Sequence, residues 1–364
     1  MKKIALLLLA ALTVTLFTGC AQQQEPIEIA GPFDHIDPVK ISERIEALGE
    51  ITDTSKLSEI YSLINDCKGL TEAKFAQVSN YGKIDEALEA TAKLFNEEDV
   101  KLKVMSFNVR NGEYGNGRME LVLSKIMEES PDLVGLQEVG DDWKPFFREN
   151  IDSTGYVKLG QGRYQLGYSE ENNILYKKDK FDLIESDTVW LTDTPEIESK
   201  WKNPEDPTDG FPRIMTYAVL RRKSDGTVFV FANTHLETDA PAQDHQAYWL
   251  TQILQDKFCN EYPIILTGDF NCSEGATAYN IVVDFGFEPT NRYGESTGTF
   301  NGYSRKNGEG PIIDFCFVNE YISVKSYKVM PATVNDQYVS DHNAIVSEIL
   351  LLPAYDSIEI PTEE

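Results

Sequence analysis

The sequence predicts an α+β fold in which a strand-rich main domain follows a small all-helical one. Three observations carry that expectation. From residue 101 to 352, short apolar runs of strand length alternate with a few helical segments. Before residue 101, apolar residues recur only at helical spacing. Within the main stretch, polar residues able to do chemistry gather where apolar strands end, which is where α/β sheets usually place function. About 250 residues are enough for one domain with a large core.

The chain opens with Lys2 and Lys3 and an apolar run from Ile4 to Phe17 broken only by threonines. That run is too short to span a bilayer but suits the apolar centre of an export signal. It ends in Leu16-Phe17-Thr18-Gly19-Cys20, which resembles the lipobox of bacterial lipoproteins, with Phe17 where an aliphatic residue is usual. The resemblance implies that residues 1–19 are a signal peptide and that Cys20 is lipidated. The protein is then extracytoplasmic and touches the cell membrane through its N-terminal lipid only. Residues 20–37 are polar and proline-marked and read as a tether.

Residues 38–100 read as three short helices. Ile41, Ile45 and Leu48 share one face, as do Leu57, Ile60, Tyr61 and Ile64. After Gly69-Leu70-Thr71, the positions Ile84, Ala87, Leu88, Thr91, Leu94 and Phe95 form a third face. Tyr61 to Ala87 resembles the small three-helix modules of Gram-positive surface proteins, and a spacer is the expected role.

The main domain, residues 101–352, begins with a strand over Leu102 to Val109. An amphipathic helix over Arg118 to Glu129 is stopped by Pro131, and Leu133 to Leu136 is a buried strand. Ile174 to Tyr176 and Leu183 to Trp190 follow as strands. Ile214 to Leu220 and Val228 to Asn233 pair as a hairpin across Ser224-Asp225-Gly226. Asp239 to Phe258 is the longest helix, and Ile264 to Thr267, Ile312 to Val318 and Ala344 to Leu350 are further strands. Residues 353–364 form an acidic tail.

The net charge is −27, and loss of Lys2 and Lys3 with the signal leaves −29. So acidic a surface repels long polyanions and favours a cation cofactor. Of the five cysteines, Cys272 and Cys316 sit in apolar or site-adjacent runs and read as buried thiols. Cys67 and Cys259 lie in a compartment that permits disulfides, and their state stays open. No Cys-x-x-Cys or Cys/His cluster points to zinc.

The strand ends carry Ser106-Phe107-Asn108, Leu136-Gln137-Glu138-Val139, Asn233-Thr234-His235-Leu236, Gly268-Asp269-Phe270-Asn271, Ile313-Asp314-Phe315 and Ser340-Asp341-His342-Asn343. In order and spacing these resemble the motifs of the endonuclease/exonuclease/phosphatase superfamily, also called DNase I-like, over residues 101–351. The resemblance implies a four-layer α/β/β/α sandwich and a metal-dependent phosphoester hydrolase, with Mg²⁺ as cofactor and Mn²⁺ as a substitute. Val189-Trp190-Leu191-Thr192-Asp193-Thr194-Pro195 and Arg213…Thr216-Tyr217 further resemble a bacterial branch known only as metal-dependent hydrolases.

The chemistry explains why such residues are needed. A phosphoester anion repels attacking water, so hydrolysis needs a cation, a deprotonated water and donors for developing charge. Glu138, at the end of a buried run, is the first expected metal ligand. Asp341 is the second, directly or through water, and Asn108 adds an amide oxygen or holds a metal-bound water. If the backbone stays extended, Asp269 and Asn271 point to one side. Asp269 can accept a proton from water, whereas Asn271 cannot and reads as a phosphate or water holder. His235 shares a face with Asn233 and is placed to donate to a non-bridging phosphate oxygen.

Asp314 interrupts an apolar run, and a lone buried Asp is costly. The family pattern implies that it accepts from one nitrogen of His342, leaving an imidazolium facing the phosphate. Asp341 and His342 are neighbours, so both reach the site only from a loop. Either Asp269 or the His342–Asp314 pair takes the water proton. Arg213 is either a substrate contact or half of a structural ion pair. Trp143, Phe146 and Phe147 read as core, and His35 and His245 as structural or solvated.

The expected substrate is a small or medium phosphoester outside the cell: a phosphodiester headgroup, a nucleotide, or a sugar or inositol phosphate. Extracellular nucleic acid comes second, because the motifs are not separated by a basic insertion. A sphingomyelinase-like role is third. From another class, the alternative is a non-catalytic lipoprotein that holds a phosphorylated ligand in the same cleft. The chain is expected to act as a monomer.

Overall fold

A computed structural model describes residues 37–353 apart from 69, 71, 96, 113–116, 203–209, 259–261, 296 and 306–307. The expected signal, Cys20, His35, Cys259, and nearly all of the tether and acidic tail lie outside the described residues. The chain divides into two compact units between Leu94 and Phe95. In the first, the Asp37 carboxylate accepts from the Val39 N–H at 2.9 Å and Pro38 supplies a preset φ, so helix α1 (Pro38–Ala47) starts there. Helices α2 (Leu57–Lys68), α3 (Glu72–Phe75) and α4 (Gly82–Ala92) follow. Ile41, Ile45, Leu57, Ile60, Ile64, Ile84 and Ala87 are buried, as their spacing predicts. The single turn α3 is an addition to the three predicted helices. Leu94 is exposed, because α4 ends at Ala92 and its apolar face ends with it.

The second unit opens with α5 (Glu97–Val100), which the sequence had grouped with the helical module. Strand β1 (Lys101–Asn108), helix α6 (Arg118–Glu129), strand β2 (Leu133–Val139) and helix α7 (Trp143–Asn150) come next. Strands β3 (Tyr156–Leu159), β4 (Glu171–Lys177), β5 (Phe181–Trp190), β6 (Ile214–Arg222) and β7 (Val228–His235) lead to the longest helix, α8 (Ala240–Phe258). Strand β8 (Ile264–Asp269), helix α9 (Thr277–Asp284), and strands β9 (Glu288–Pro289), β10 (Asp314–Val318) and β11 (Ile322–Met330) follow. A short hairpin of β12 (Thr333–Val334) and β13 (Gln337–Tyr338) precedes β14 (Ala344–Leu351).

One six-stranded sheet has the order β11-β14-β1-β2-β4-β3, and the other β5-β6-β7-β8-β10-β9. Both are mixed, with β1–β2 and β7–β8 parallel. Side-chain alternation gives each sheet two apolar faces. Met105 and Phe107 of β1 pack on Val122 and Ile126 of α6 and Trp143 and Phe147 of α7. Ile264 and Leu266 of β8 pack with Leu250 and Leu254 of α8 and Val282 of α9. The opposite faces meet through Leu102, Val104, Phe229, Phe231, Ile265, Cys316 and Ile345. The layers are therefore helix, sheet, sheet, helix, the DNase I-like sandwich that the motifs imply.

At one end this inter-sheet layer turns polar. The strands that carry Leu102, Val104, Phe231 and Ile265 inward end in Asn108, His235 and Asp269 on the same face. Hydrogen bonds there cross from sheet to sheet: Gln137 Nε2 donates to Asn233 Oδ1 at 2.7 Å, and Asn108 Nδ2 to Asp269 Oδ2 at 2.9 Å. Asn233 Nδ2 in turn donates to the Leu136 carbonyl at 2.8 Å. The sheets are thus apolar where they need only pack and hydrogen-bonded where they must hold a site.

Candidate active site

Asn108 ends β1, and its amide nitrogen donates to Glu138 Oε1 at 3.0 Å as well as to Asp269. Its oxygen accepts from the Arg110 N–H at 2.9 Å. The amide therefore meets both carboxylates with its donor nitrogen. Strict alternation would send Glu138 to the helix side of its sheet. Instead the register shifts between Leu136 and Val139, and Glu138 takes a φ of 59°. That bulge turns its carboxylate back to Asn108. Glu138 Oε2 accepts from the Asn111 N–H at 2.9 Å. Arg110, which the motifs did not single out, lies 3.6 Å from both Glu138 Oε2 and Asp341 Oδ2.

Asp269 is 1 % exposed, and its two oxygens accept from Asn108 and from the Asn271 N–H at 2.9 Å. His235 Nε2 and His342 Nε2 lie 3.5 and 3.6 Å from Asp269 Oδ2. Burial pushes the Asp269 carboxyl up to about 7, against the opposing pull of His342. The backbone does not stay extended past Asp269: β8 ends there, and Asn271 has a φ of 49°. Asn271 instead folds back, and its amide nitrogen donates to the Leu236 carbonyl at 3.0 Å and meets His235 Nε2 at 3.0 Å.

The two imidazoles are in opposite electrostatic states. His342 Nδ1 lies 2.9 and 3.1 Å from the two Asp314 oxygens. Burial opposes its charge, but Asp314 and Asp269 together push its pKa up to about 10. His235 is held well below its ordinary value, first by burial and then by Arg213 and Arg163. Its Nε2 faces the Asn271 amide nitrogen, which can only donate, so Nε2 accepts in this arrangement. Residues 340–343 form the required loop: the Ser340 hydroxyl donates to the Asn108 carbonyl at 2.6 Å, and the Asp341 carbonyl accepts from Asn301 at 2.8 Å. Arg213 forms an ion pair with Glu237 at 3.1 Å, and Trp143 and Phe147 are core. The His245 ring accepts from Trp249 Nε1 at 3.1 Å, away from these groups.

Among the described residues, two groupings could hold a metal: Glu138 with His235 and Asp269, and Asp269 with Asp314 and His342. Asp341 stands outside both and approaches Glu138 across Arg110. One of its oxygens, Oδ1, is buried and has no hydrogen-bond partner. Burial raises the Asp341 pKa, and the Glu138 charge adds to the rise. A hard divalent cation would satisfy that oxygen and relieve the repulsion, so the donors present fit one.

Residues 105–342 match the Endonuclease/Exonuclease/phosphatase family. The chain belongs to that family. A mannosyl-6-phosphatase of Bacteroides thetaiotaomicron is a similar member, 26 % identical with a TM-score of 0.59 over 68 % of this chain and 99 % of that one. A functionally unknown conserved protein from Enterococcus faecalis is 26 % identical with a TM-score of 0.61, over 69 % of this chain and 100 % of that one. A CCR4-Not complex 3'-5'-exoribonuclease subunit of Mycosarcoma maydis is 23 % identical over 64 % of this chain and 43 % of its own length. The chain spans about half the length, or less, of the curated relatives it matches. Family members of known activity among these are a phosphatase and a nuclease, which supports a phosphoric ester hydrolase.

Proposed function

We propose that the chain is a Mg²⁺-dependent hydrolase of small phosphoesters, with Mn²⁺ as a substitute, working as a monomer at the outer face of the cell under a lipid on Cys20. The observation that carries the chemistry is the Asp269 carboxylate, buried between two imidazoles and within hydrogen-bond reach of Asn108. When held by Glu138 and Asp341, the cation supplies positive charge against the phosphoryl oxygens. Asp269 takes the proton from the attacking water. His342 keeps its proton at neutral pH because Asp314 faces it, so it serves as a donor to a phosphoryl oxygen and not as the base. Asn108 fixes Glu138 and Asp269 at once, and Asn271 keeps the neutral His235 ring in place.

A small substrate is favoured over nucleic acid by the net charge of −27 and by the likeness to a sugar-phosphate phosphatase along nearly all of that chain. Hexose 6-phosphates, phosphodiesters, phospholipids and DNA, each assayed with Mg²⁺ and then with excess EDTA, test the reading. Turnover of a small phosphoester that EDTA abolishes and Mg²⁺ restores is expected. Turnover indifferent to EDTA would overturn the metal dependence. Binding of phosphorylated ligands without any turnover would instead favour a non-catalytic lipoprotein.

A further inference from the structure

Beside the catalytic cluster, two buried arginines are assembled against one half-exposed ring. Arg163 is 8 % exposed and pairs with Glu170 at 2.9 Å, and Arg213 is 7 % exposed and pairs with Glu237 at 3.1 Å. The Phe211 ring lies 4.4 Å from the Arg163 guanidinium and 5.8 Å from that of Arg213, while Phe211 is 48 % exposed. Both pairs reach toward the chemistry. Glu170 accepts from the Asn111 side chain, and the Asn111 backbone N–H donates to Glu138. Glu237 follows His235 by two residues and accepts from the Phe211 N–H at 2.8 Å. The charges of Arg213 and Arg163 both bear on the His235 ring.

A guanidinium over a phenyl ring holds it in place, and about half of Phe211 stays exposed to meet a ligand. Each arginine is neutralised by its own carboxylate, so this wall adds no net positive charge for a second phosphate. It offers instead a flat apolar face next to planar donors and acceptors. One donor is unused: Arg163 Nε is buried and has no hydrogen-bond partner. A polyhydroxylated ring answers to both parts of the wall, with its C–H face on the aromatic ring and its hydroxyls on the guanidinium and carboxylate groups.

We propose that Phe211, backed by Arg163 and Arg213, forms the subsite for a sugar ring that is the alcohol part of the substrate. The proposal rests on the phosphoester-hydrolase reading and deepens it. In the reaction, water oxygen bonds to phosphorus and the bond from phosphorus to the sugar oxygen breaks. The proton that Asp269 removes from water balances the one the sugar oxygen gains, and inorganic phosphate is released.

The test uses the full chain with Mg²⁺ and three probes: mannose 6-phosphate, methyl phosphate and adenosine 5'-monophosphate. The wild type should prefer mannose 6-phosphate over methyl phosphate in kcat/KM. Phe211→Ala should lower that ratio roughly tenfold, chiefly through KM, and Phe211→Tyr, which keeps the ring, should preserve it. An unchanged ratio in Phe211→Ala, a Tyr variant as impaired as the Ala variant, or a wild-type preference for the nucleotide would overturn the subsite. Hydrolysis of methyl phosphate with no preference for the sugar would sink the subsite and leave the hydrolase reading intact. If none of the three is hydrolysed with Mg²⁺, the subsite falls, and the hydrolase reading falls with it only when phosphodiesters, phospholipids and DNA are also left intact.

Discussion

Asp269 and Glu138 are joined through one amide, that of Asn108, yet the protein surrounds them differently. Asp269 is enclosed, faces His235 and His342, and is raised by burial. Glu138 lies nearer the surface, opposite Arg110 and on the side of Asp341 with its unpartnered oxygen. The first environment suits proton transfer and the second a cation, so the two should fail in different ways. Glu138→Gln should weaken apparent Mg²⁺ affinity, and part of its turnover should return at high Mg²⁺. Asp269→Asn keeps shape and removes the basic oxygen, so kcat should fall by roughly a hundredfold or more and stay low at any Mg²⁺ concentration. Plots of kcat against Mg²⁺ concentration separate them. Near-normal turnover in Asp269→Asn, with loss in Asp314→Asn, would transfer the base role to the His342–Asp314 pair. At this scale the sequence shows which side chains gather, because each motif ends a buried run. It does not show how they turn. Glu138 and Asn271 both depend on positive φ angles of 59° and 49°, and neither position carries the glycine that would advertise such a turn. Arg110, Arg163 and Phe211 are invisible for another reason: Arg110 meets Asp341, and Arg163 meets Phe211, only across long stretches of chain.

Strands β1, β2, β7 and β8 were legible because both of their faces are buried, which leaves near-continuous apolar runs in the sequence. Strand β11 was not, since Ile322, Val324 and Tyr327 change phase across a bulge between Val324 and Ser326. Strands β3 and β9 are too short to show a period, and β10 starts at Asp314 because Ile312 and Ile313 precede the ladder. Helix α9 spans only Thr277–Asp284 and lacks a side-chain cap. What the elements must achieve together is a fixed spacing of two sheets at their polar end. Gly135 of β2 makes this visible. A Cβ there would lie 2.2 Å from Thr267 Oγ1 and 2.5 Å from Asn233 Oδ1, both on the facing sheet. Those atoms are hydrogen-bonded to each other at 3.1 Å, and Asn233 also accepts from Gln137. Gly135→Ala should therefore push the sheets apart, lower stability by about 1–3 kcal/mol, and reduce turnover by shifting the strand that carries His235. Urea unfolding with a lower midpoint and an unchanged slope is the expected record. A wild-type midpoint together with wild-type turnover would show that the two sheets are not held by this contact.

At the scale of the whole molecule, the stretch from Phe95 to Ser357 contains everything the proposed chemistry uses. Among the described residues, its three apolar clusters draw on residues from Leu102 to Leu351. Glu138, His235, Asp269, Asp314, Asp341 and His342 all lie within it. The first unit is likewise built on its own buried face, with Arg44 paired to Glu59 at 2.7 Å and to Asp66. Segments that bury separate cores fold separately. Residues 95–357 produced alone should therefore unfold in one cooperative transition and hydrolyse methyl phosphate with the kcat/KM of the full chain. Added Mg²⁺ should raise the melting temperature of both proteins alike, because a cation bound only by the folded state stabilises it by mass action. The comparison separates two roles for the helical unit. Equal kinetics and equal Mg²⁺ response would leave it as a spacer between the anchor and the enzyme. Soluble 95–357 with a weakened Mg²⁺ response, or with no cooperative transition, would mean that the helices complete the catalytic core.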